Sequence, residues 1–356
     1  MNILITGCAG FVGSSICLEI RRSRPEWKVF GIDNLSRVGS EVNVPRLLEA
    51  GVDFYRGDVR CEPDFEYFKG IQYVIDAAAN PSVLAGASGS GTRQVIDQNL
   101  VGTINTLEFC RRNQSGFILL SSSRVYSIHD LRNISLFEAS TRYVYASDQC
   151  DHGRTSAGIS ELFPSKPPIS IYGVTKLASE YLAMEYAASF GIPVWINRCG
   201  VLSGEGQFGI ASQGIVSFWI GMLHAGRPLV YTGQGGKGFQ VRDVLHPVDL
   251  SRLLIMQIEK EQSSYQVFNV SGGMSSSFSL CELTEYCHKH GFGSQVSSLM
   301  DDRLNDVPHV VLDSSNVSSQ FDWYPRITRD EIFDRVIAFT IENPSWLRVS
   351  GNRGDC

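Results

Sequence analysis

The chain has 356 residues, enough for one α/β enzyme with an appended lobe. Hydrophobic residues make up 43%, which excludes wholesale disorder, and a net charge of −6 gives no general affinity for nucleic acid or an anionic membrane. The nine cysteines form no CxxC pair and are odd in number, so a disulfide framework and a metal site are not expected, and a reducing cytoplasm is the expected setting.

The chain opens on Asn2-Ile3-Leu4-Ile5, which reads as a buried strand rather than a signal peptide, and no apolar run approaches the ~20 residues that span a bilayer. Short apolar runs at 3–5, 29–32, 74–77, 117–120 and 194–196 alternate with amphipathic stretches at 14–22, 99–112 and 176–190. That alternation predicts a Rossmann-type α/β fold, a doubly wound parallel sheet with helices on both faces. After residue 200 the rhythm changes. Gly-rich segments at 203–214 and 233–238 flank a helical stretch at 214–225, and a further strand at 267–270 leads to a helix near Ser279, where Ser279 and Glu282 form a capping-box pair. The expected organisation is a dinucleotide-binding domain over 1–200, with a strand or two contributed from beyond 200. A smaller substrate lobe over 201–346 and a polar, frayed tail over 347–356 complete it.

Gly7, Gly10 and Gly13 follow the first strand directly and open a helix. Gly7 permits a tight turn, Gly10 lets the backbone approach a pyrophosphate, and Gly13 lets helix and strand pack closely. The helix N-terminus, with Phe11 and Val12 in its first turn, offers unpaired N–H groups to phosphate. Asp33 ends the second strand, where an acid accepts hydrogen bonds from a ribose and repels a 2′-phosphate. NAD is therefore expected; Arg37 nearby keeps NADP open.

Tyr172 and Lys176 stand four residues apart at a helix start and face the same way. A free phenol has a pKa near ~10, and an adjacent lysine with a bound cofactor's positive charge would favour the phenolate, giving a base for a sugar hydroxyl. The strand at 117–120 ends in Ser121-Ser122-Ser123, hydroxyls at the carboxyl edge where ligands sit in such folds.

With these motifs in this order, the chain resembles the extended short-chain dehydrogenase/reductase family, the NAD-dependent nucleotide-sugar epimerases and dehydratases, from Met1 to about Trp323. The resemblance implies Ser122 as the hydroxyl on the reacting sugar oxygen, Tyr172 as acid/base, and Lys176 on the nicotinamide ribose. It adds Asn34, Ser36, Asp58, Val59, Ala77, Ala78, Ala79 and Asn99 to the cofactor site. On the substrate side it implies Ser123, Arg124, Asn197, Gln207, Phe208, Gln213, Gly214, Gln240 and Arg242, with Arg303 and Asp306 as a second diphosphate clamp. Relatives commonly pair through helices beside the catalytic one, so a homodimer is expected.

Dehydratases of this family place Asp and Glu directly after the catalytic hydroxyl. Here Ser123 and Arg124 stand there, so elimination lacks its acid and base while epimerisation by reversible oxidation survives. Asp33–Arg37, Gly57–Arg60, Glu138 with Thr141-Arg142-Tyr143, and Gln240–His246 resemble the members that invert C2 of a CDP-linked deoxyhexose. Departures at Arg124, Ser127, Val201 and Pro308 lie on the substrate side. A UDP-sugar 4-epimerase and a non-catalytic NAD-binding protein of the same fold stay open as alternatives.

Overall fold

The computed structural model describes residues 1–82, 91–146, 150–260 and 262–351. Its centre is a seven-stranded, wholly parallel sheet. Five strands come early: β1 (Asn2–Thr6), β2 (Lys28–Asp33), β3 (Asp53–Arg56), β4 (Tyr73–Asp76) and β5 (Gly116–Ser122). With strands Val194–Cys199 and Tyr265–Val270, the order across the sheet is Tyr265–Val270, Val194–Cys199, β5, β4, β1, β2, β3. The sheet reverses direction of growth between β1 and β4, which opens a crevice at their carboxyl ends.

The inner strands are almost continuously apolar because helices cover both faces. Ile3, Ile5, Ile118 and Trp195 pack toward helices α1 (Phe11–Ser23) and Pro247–Glu259. Leu4, Val74, Phe117 and Ile196 pack on the opposite side with Ala183 and Ala187 of helix Ser170–Phe190. The sequence expectations missed β3, whose four residues DFYR are only partly buried. Strand Tyr265–Val270 is the contribution to the main sheet from beyond residue 200, pairing in register with Val194–Cys199.

The lobe is built on helices Ile215–His224, Leu280–Lys289 and Arg329–Glu342 around Trp219, Val244, Phe278 and Phe333. The capping box at Ser279 and Glu282 is present. Residues expected to fray after 346 are folded instead as far as 351. Helix Trp346–Val349 docks because the Trp346 ring stacks on Phe208 at 5.3 Å and its indole N–H donates to the Gln207 carbonyl at 2.9 Å. Residues 352–356 of the expected tail lie outside the described ones. No described helix is long and apolar enough to cross a membrane.

Candidate active site

The glycine loop is shaped for a close ligand. Gly7 adopts φ +65°, and a Cβ there would sit 2.8 Å from the Ala78 backbone. A Cβ on Gly13 would meet the Gly7 carbonyl oxygen at 2.1 Å, so helix and loop touch backbone to backbone. Gly10 caps α1 without a side chain, and the first turn holds no acid. Its leading N–H groups and positive dipole end are therefore open to an anion. Phe11 stands beside Gly204, where the absence of a side chain makes room for its ring and for His246.

Asp33 ends β2 with its carboxylate over this loop. Its oxygens accept from the Ala9 amide at 3.0 Å and the Leu35 amide at 2.8 Å. Burial raises its pKa, and those amide bonds oppose the rise. Asn34 donates to Asp58 at 3.0 Å and accepts from the Ser36 amide at 2.9 Å. Arg60, at 2.6 Å, holds the Asp58 carboxyl well below the usual range. Ala77 and Ala78 donate their amides to Thr6 Oγ1, and Val59 packs against Gly102. The loop and strand-end residues expected from sequence thus gather along the carboxyl edges of β1, β2, β3 and β4.

Asn99 sits in a wide π-helical turn, Asp97–Val101, between helices Thr92–Ile96 and Gly102–Asn113. The turn aims its fully buried amide at Asn80, with which it exchanges two hydrogen bonds of 2.7 and 3.0 Å, and at Thr175 Oγ1, 3.2 Å away. Such turns recur at functional sites. Here it ties the loop after β4 to the helix that carries Tyr172 and Lys176.

Tyr172 and Lys176 occupy the first two turns of helix Ser170–Phe190 and are both buried. Ser122 stands beside the Tyr172 phenol, near enough to lower its pKa, and its oxygen accepts from the Arg124 amide at 3.2 Å. Burial pushes the phenol above its ordinary value, the Ser122 hydroxyl and the Arg124 charge pull it down, and Cys199 pushes it up. The cation facing the phenol is thus Arg124. Lys176 faces Asp76, Cys199 and Glu180, which oppose the lowering of its pKa by burial.

The helix is anchored from beneath by groups that sequence reasoning overlooked. Arg198 and Glu180 form a buried ion pair at 2.7 Å, Ser121 donates to Glu180, and Tyr126 donates to Asn269 at 2.6 Å. Each of these residues reads alone as an ordinary strand or helix polar position, so only long-range contact reveals the network. Gly173 brings the helix against the turn after β5: a Cβ there would lie 2.3 Å from the Arg124 carbonyl oxygen.

On the substrate side, Arg242 donates to Asp306 at 3.1 Å and to the Val307 carbonyl at 2.8 Å. Gln240 reaches the other Asp306 oxygen at 3.2 Å, and its own amide oxygen is buried without a partner among the described residues. Arg124 joins them, donating to the Asn305 carbonyl at 3.2 Å, and burial with Arg242 nearby pushes it down to about 10. Arg303 lies at the exposed rim, 3.2 Å from Thr232 Oγ1. Ser123 begins the short turn Ser123–Val125 that presents Arg124.

Three expected substrate residues are spent elsewhere. Asn197 is fully buried and exchanges two amide hydrogen bonds, 2.9 and 2.8 Å, with Gln257, because its place in strand Val194–Cys199 turns it toward helix Pro247–Glu259. Gln207 donates to the Leu202 carbonyl and accepts from Ser203 and Ser217. Phe208 is buried under Trp346. The last two brace the loop rather than line the crevice. Gln213 and the Phe208 carbonyl both accept from Arg37, which therefore bridges the cofactor edge to this loop, and Gly214 caps helix Ile215–His224 at φ +66°.

This geometry agrees with the family-level comparison, in which residues 3–271 match the NAD dependent epimerase/dehydratase family. The chain belongs to that family. NAD is its cofactor, and the open, uncapped α1 terminus beside Asp33 fits that group. The chain is similar to a CDP-paratose 2-epimerase of Salmonella typhi, 26% identical over 352 residues, covering 96% of this chain and 99% of that protein. It is also similar to a dTDP-glucose 4,6-dehydratase of Escherichia coli, 23% identical over 98% of this chain and 94% of that one. Its fold matches the UDP-glucuronic acid 4-epimerase of Bacillus cereus, solved with UDP-glucuronic acid and NAD, with a TM-score of 0.77 at 22% identity over 96% and 99% of the two chains.

Proposed function

We propose that this member of the family is a nucleotide-sugar epimerase that inverts C2 of a CDP-linked deoxyhexose through a transient keto-sugar. The observation that carries this reading is the cation at the position after Ser123. Arg124 faces Tyr172 where water elimination would need a carboxyl group, and its neighbours are Arg242 and Asp306. A cationic pocket beside the phenol suits the diphosphate of a nucleotide sugar and offers no second proton donor for dehydration.

NAD supplies a hydride acceptor that hands the hydride back within one cycle. Gly7, Gly10, Gly13 and α1 would hold its pyrophosphate, and Asp33 its adenosine ribose, with Asn34, Ser36, Asp58, Val59 and Ala77–Ala79 along the same edge. Tyr172 takes the hydroxyl proton of the sugar and later returns it, and Ser122, beside the phenol, orients the oxygen. Lys176 keeps a positive charge on the cofactor side of the site. Arg242 and Arg124 hold the diphosphate in place while the keto-sugar turns its other face, with Arg303 closing from the rim. Nine scattered cysteines with no CxxC pair favour a reducing, cytoplasmic setting.

The base is tested by calorimetric titration with CDP and UDP. Tighter binding of CDP supports the reading; preference for UDP moves the chain to the UDP-sugar epimerases, whose fold it shares.

A further inference from the structure

Lys176 is a lysine with its side chain almost wholly removed from solvent, 1% exposed. An ammonium in such a place loses its charge unless an anion stands near. Three acidic groups face it. Glu180, one turn along its own helix, is already neutralised by Arg198 at 2.7 Å. Cys199, at the end of strand Val194–Cys199, stays a neutral thiol because burial pushes it up to about 12. The third is Asp76, the last residue of β4, which is 1% exposed. Among the described residues it makes no salt bridge. Its two oxygens instead accept from the Thr6 and Thr103 hydroxyls, each at 2.7 Å.

We infer that Asp76 is the positioning counter-ion of Lys176, holding the cofactor-side cation charged across the crevice while two threonines fix the carboxylate. The placement follows from the strand ends. Asp76 pairs in register with Thr6 at the carboxyl end of β1, so its carboxylate stands where the dinucleotide loop begins. Four residues on, Asn80 is joined through Asn99 to Thr175, the neighbour of Lys176 in sequence. Thr103, which holds the Asp76 carboxylate, and Asn99, which holds Thr175, stand four residues apart in successive helical turns, so one stretch of chain braces both the anion's strand and the cation's helix. One hydroxyl donor on each oxygen steadies a carboxylate without cancelling its charge, whereas an arginine partner would cancel it. Asp76 faces Lys176 and the buried Cys110 thiol, which burial keeps neutral, whereas Tyr172 responds to Ser122, Arg124 and Cys199.

The inference rests on Lys176 being the cofactor-side cation of the proposed epimerase, but its test needs no substrate, so the two fail separately. The seven lysines of the chain are labelled with 13C, and Lys176 is assigned by its loss in Lys176→Met. Asp76→Asn should lower the Lys176 titration midpoint by about one unit or more. Thr103→Val, which removes a hydrogen bond and keeps the charge, should leave it in place, as should Asp76→Glu. An unmoved midpoint in Asp76→Asn overturns the inference, and so does an equal shift in Thr103→Val, which would mark a purely structural role. Should Asp76→Asn fail to fold, Lys176→Met reads the same coupling from the other side, because linkage is reciprocal. The Asp76 carboxyl carbon must then titrate at higher pH than in the wild type, and an unchanged midpoint overturns the inference.

Discussion

At the scale of single residues, the chemistry concentrates on one hydroxyl pair and one set of arginines. Tyr172→Phe keeps the ring and its packing but removes the group that moves the proton. Turnover should fall by a factor of about 10² to 10⁴ while NAD copurifies undiminished, measured by product NMR and by mass analysis of the protein as isolated. Arg242→Ala removes a charged donor from a half-enclosed pocket and leaves Asp306 without its cation. CDP affinity should drop by roughly tenfold or more in titration calorimetry, with NAD content unchanged. The glycine loop was legible in the sequence because backbone constraints announce it: Gly7 takes φ +65°, and a Cβ on Gly13 would strike a carbonyl oxygen. Asn197 and Gln207 were misplaced because an amide that pairs within the core has the same letter as one that faces a ligand. Asp76 went unnoticed because one acid at the end of an apolar strand looks like a strand terminator.

At the scale of elements, helix Ser170–Phe190 is held to the sheet by a charge pair rather than by apolar contact alone. Glu180→Gln leaves the Arg198 guanidinium in a dry site without its anion, a change that costs on the order of 3–5 kcal/mol. Thermal unfolding should show a correspondingly lowered midpoint. Strand Val241–Leu245 carries a second buried acid, Asp243, which accepts from the Leu312 and Gly273 amides at 3.1 and 3.2 Å. Burial raises its pKa to about 6, above the unfolded value of ~3.9. The folded state therefore binds the proton more tightly, so this contribution to stability is fully present below about 3.9 and is lost as pH rises through about 6. Denaturant titrations of wild type against Asp243→Asn between those two pH values should differ in slope, with the variant flatter; parallel curves would exclude the carboxyl as the source. The period of hydrophobic residues located the main strands and helices, yet its run for the catalytic helix began only at 176, and the Tyr172/Lys176 spacing alone pointed to the earlier start. Ser170 through Thr175 are too mixed in polarity to announce a helical turn, and the turn exists because Gly173 lets it pack on the Arg124 carbonyl.

At the scale of the whole molecule, side chains from the first 200 residues reach those beyond at several points, and Arg37 is one of these links. It donates from the cofactor edge to the Phe208 carbonyl and Gln213 on the lobe side. On the outer side of helix Ser170–Phe190, Ile171, Val174 and Tyr181 are exposed at helical spacing. A stripe of that kind beside the catalytic residues fits pairing with a second copy through this helix. Sedimentation should report a dimer for the wild type and a monomer for Val174→Glu with Tyr181→Glu; a monomeric wild type would contradict the pairing.

The central claim is inversion by transient oxidation with the same hydrogen returned. Incubation of the protein with a CDP-linked deoxyhexose in deuterated water, followed by proton NMR, tests it directly. The account predicts a product inverted at C2 that still carries protium at that carbon. Deuterium at the inverted carbon, or a 4-keto-6-deoxy sugar as the product, would contradict it.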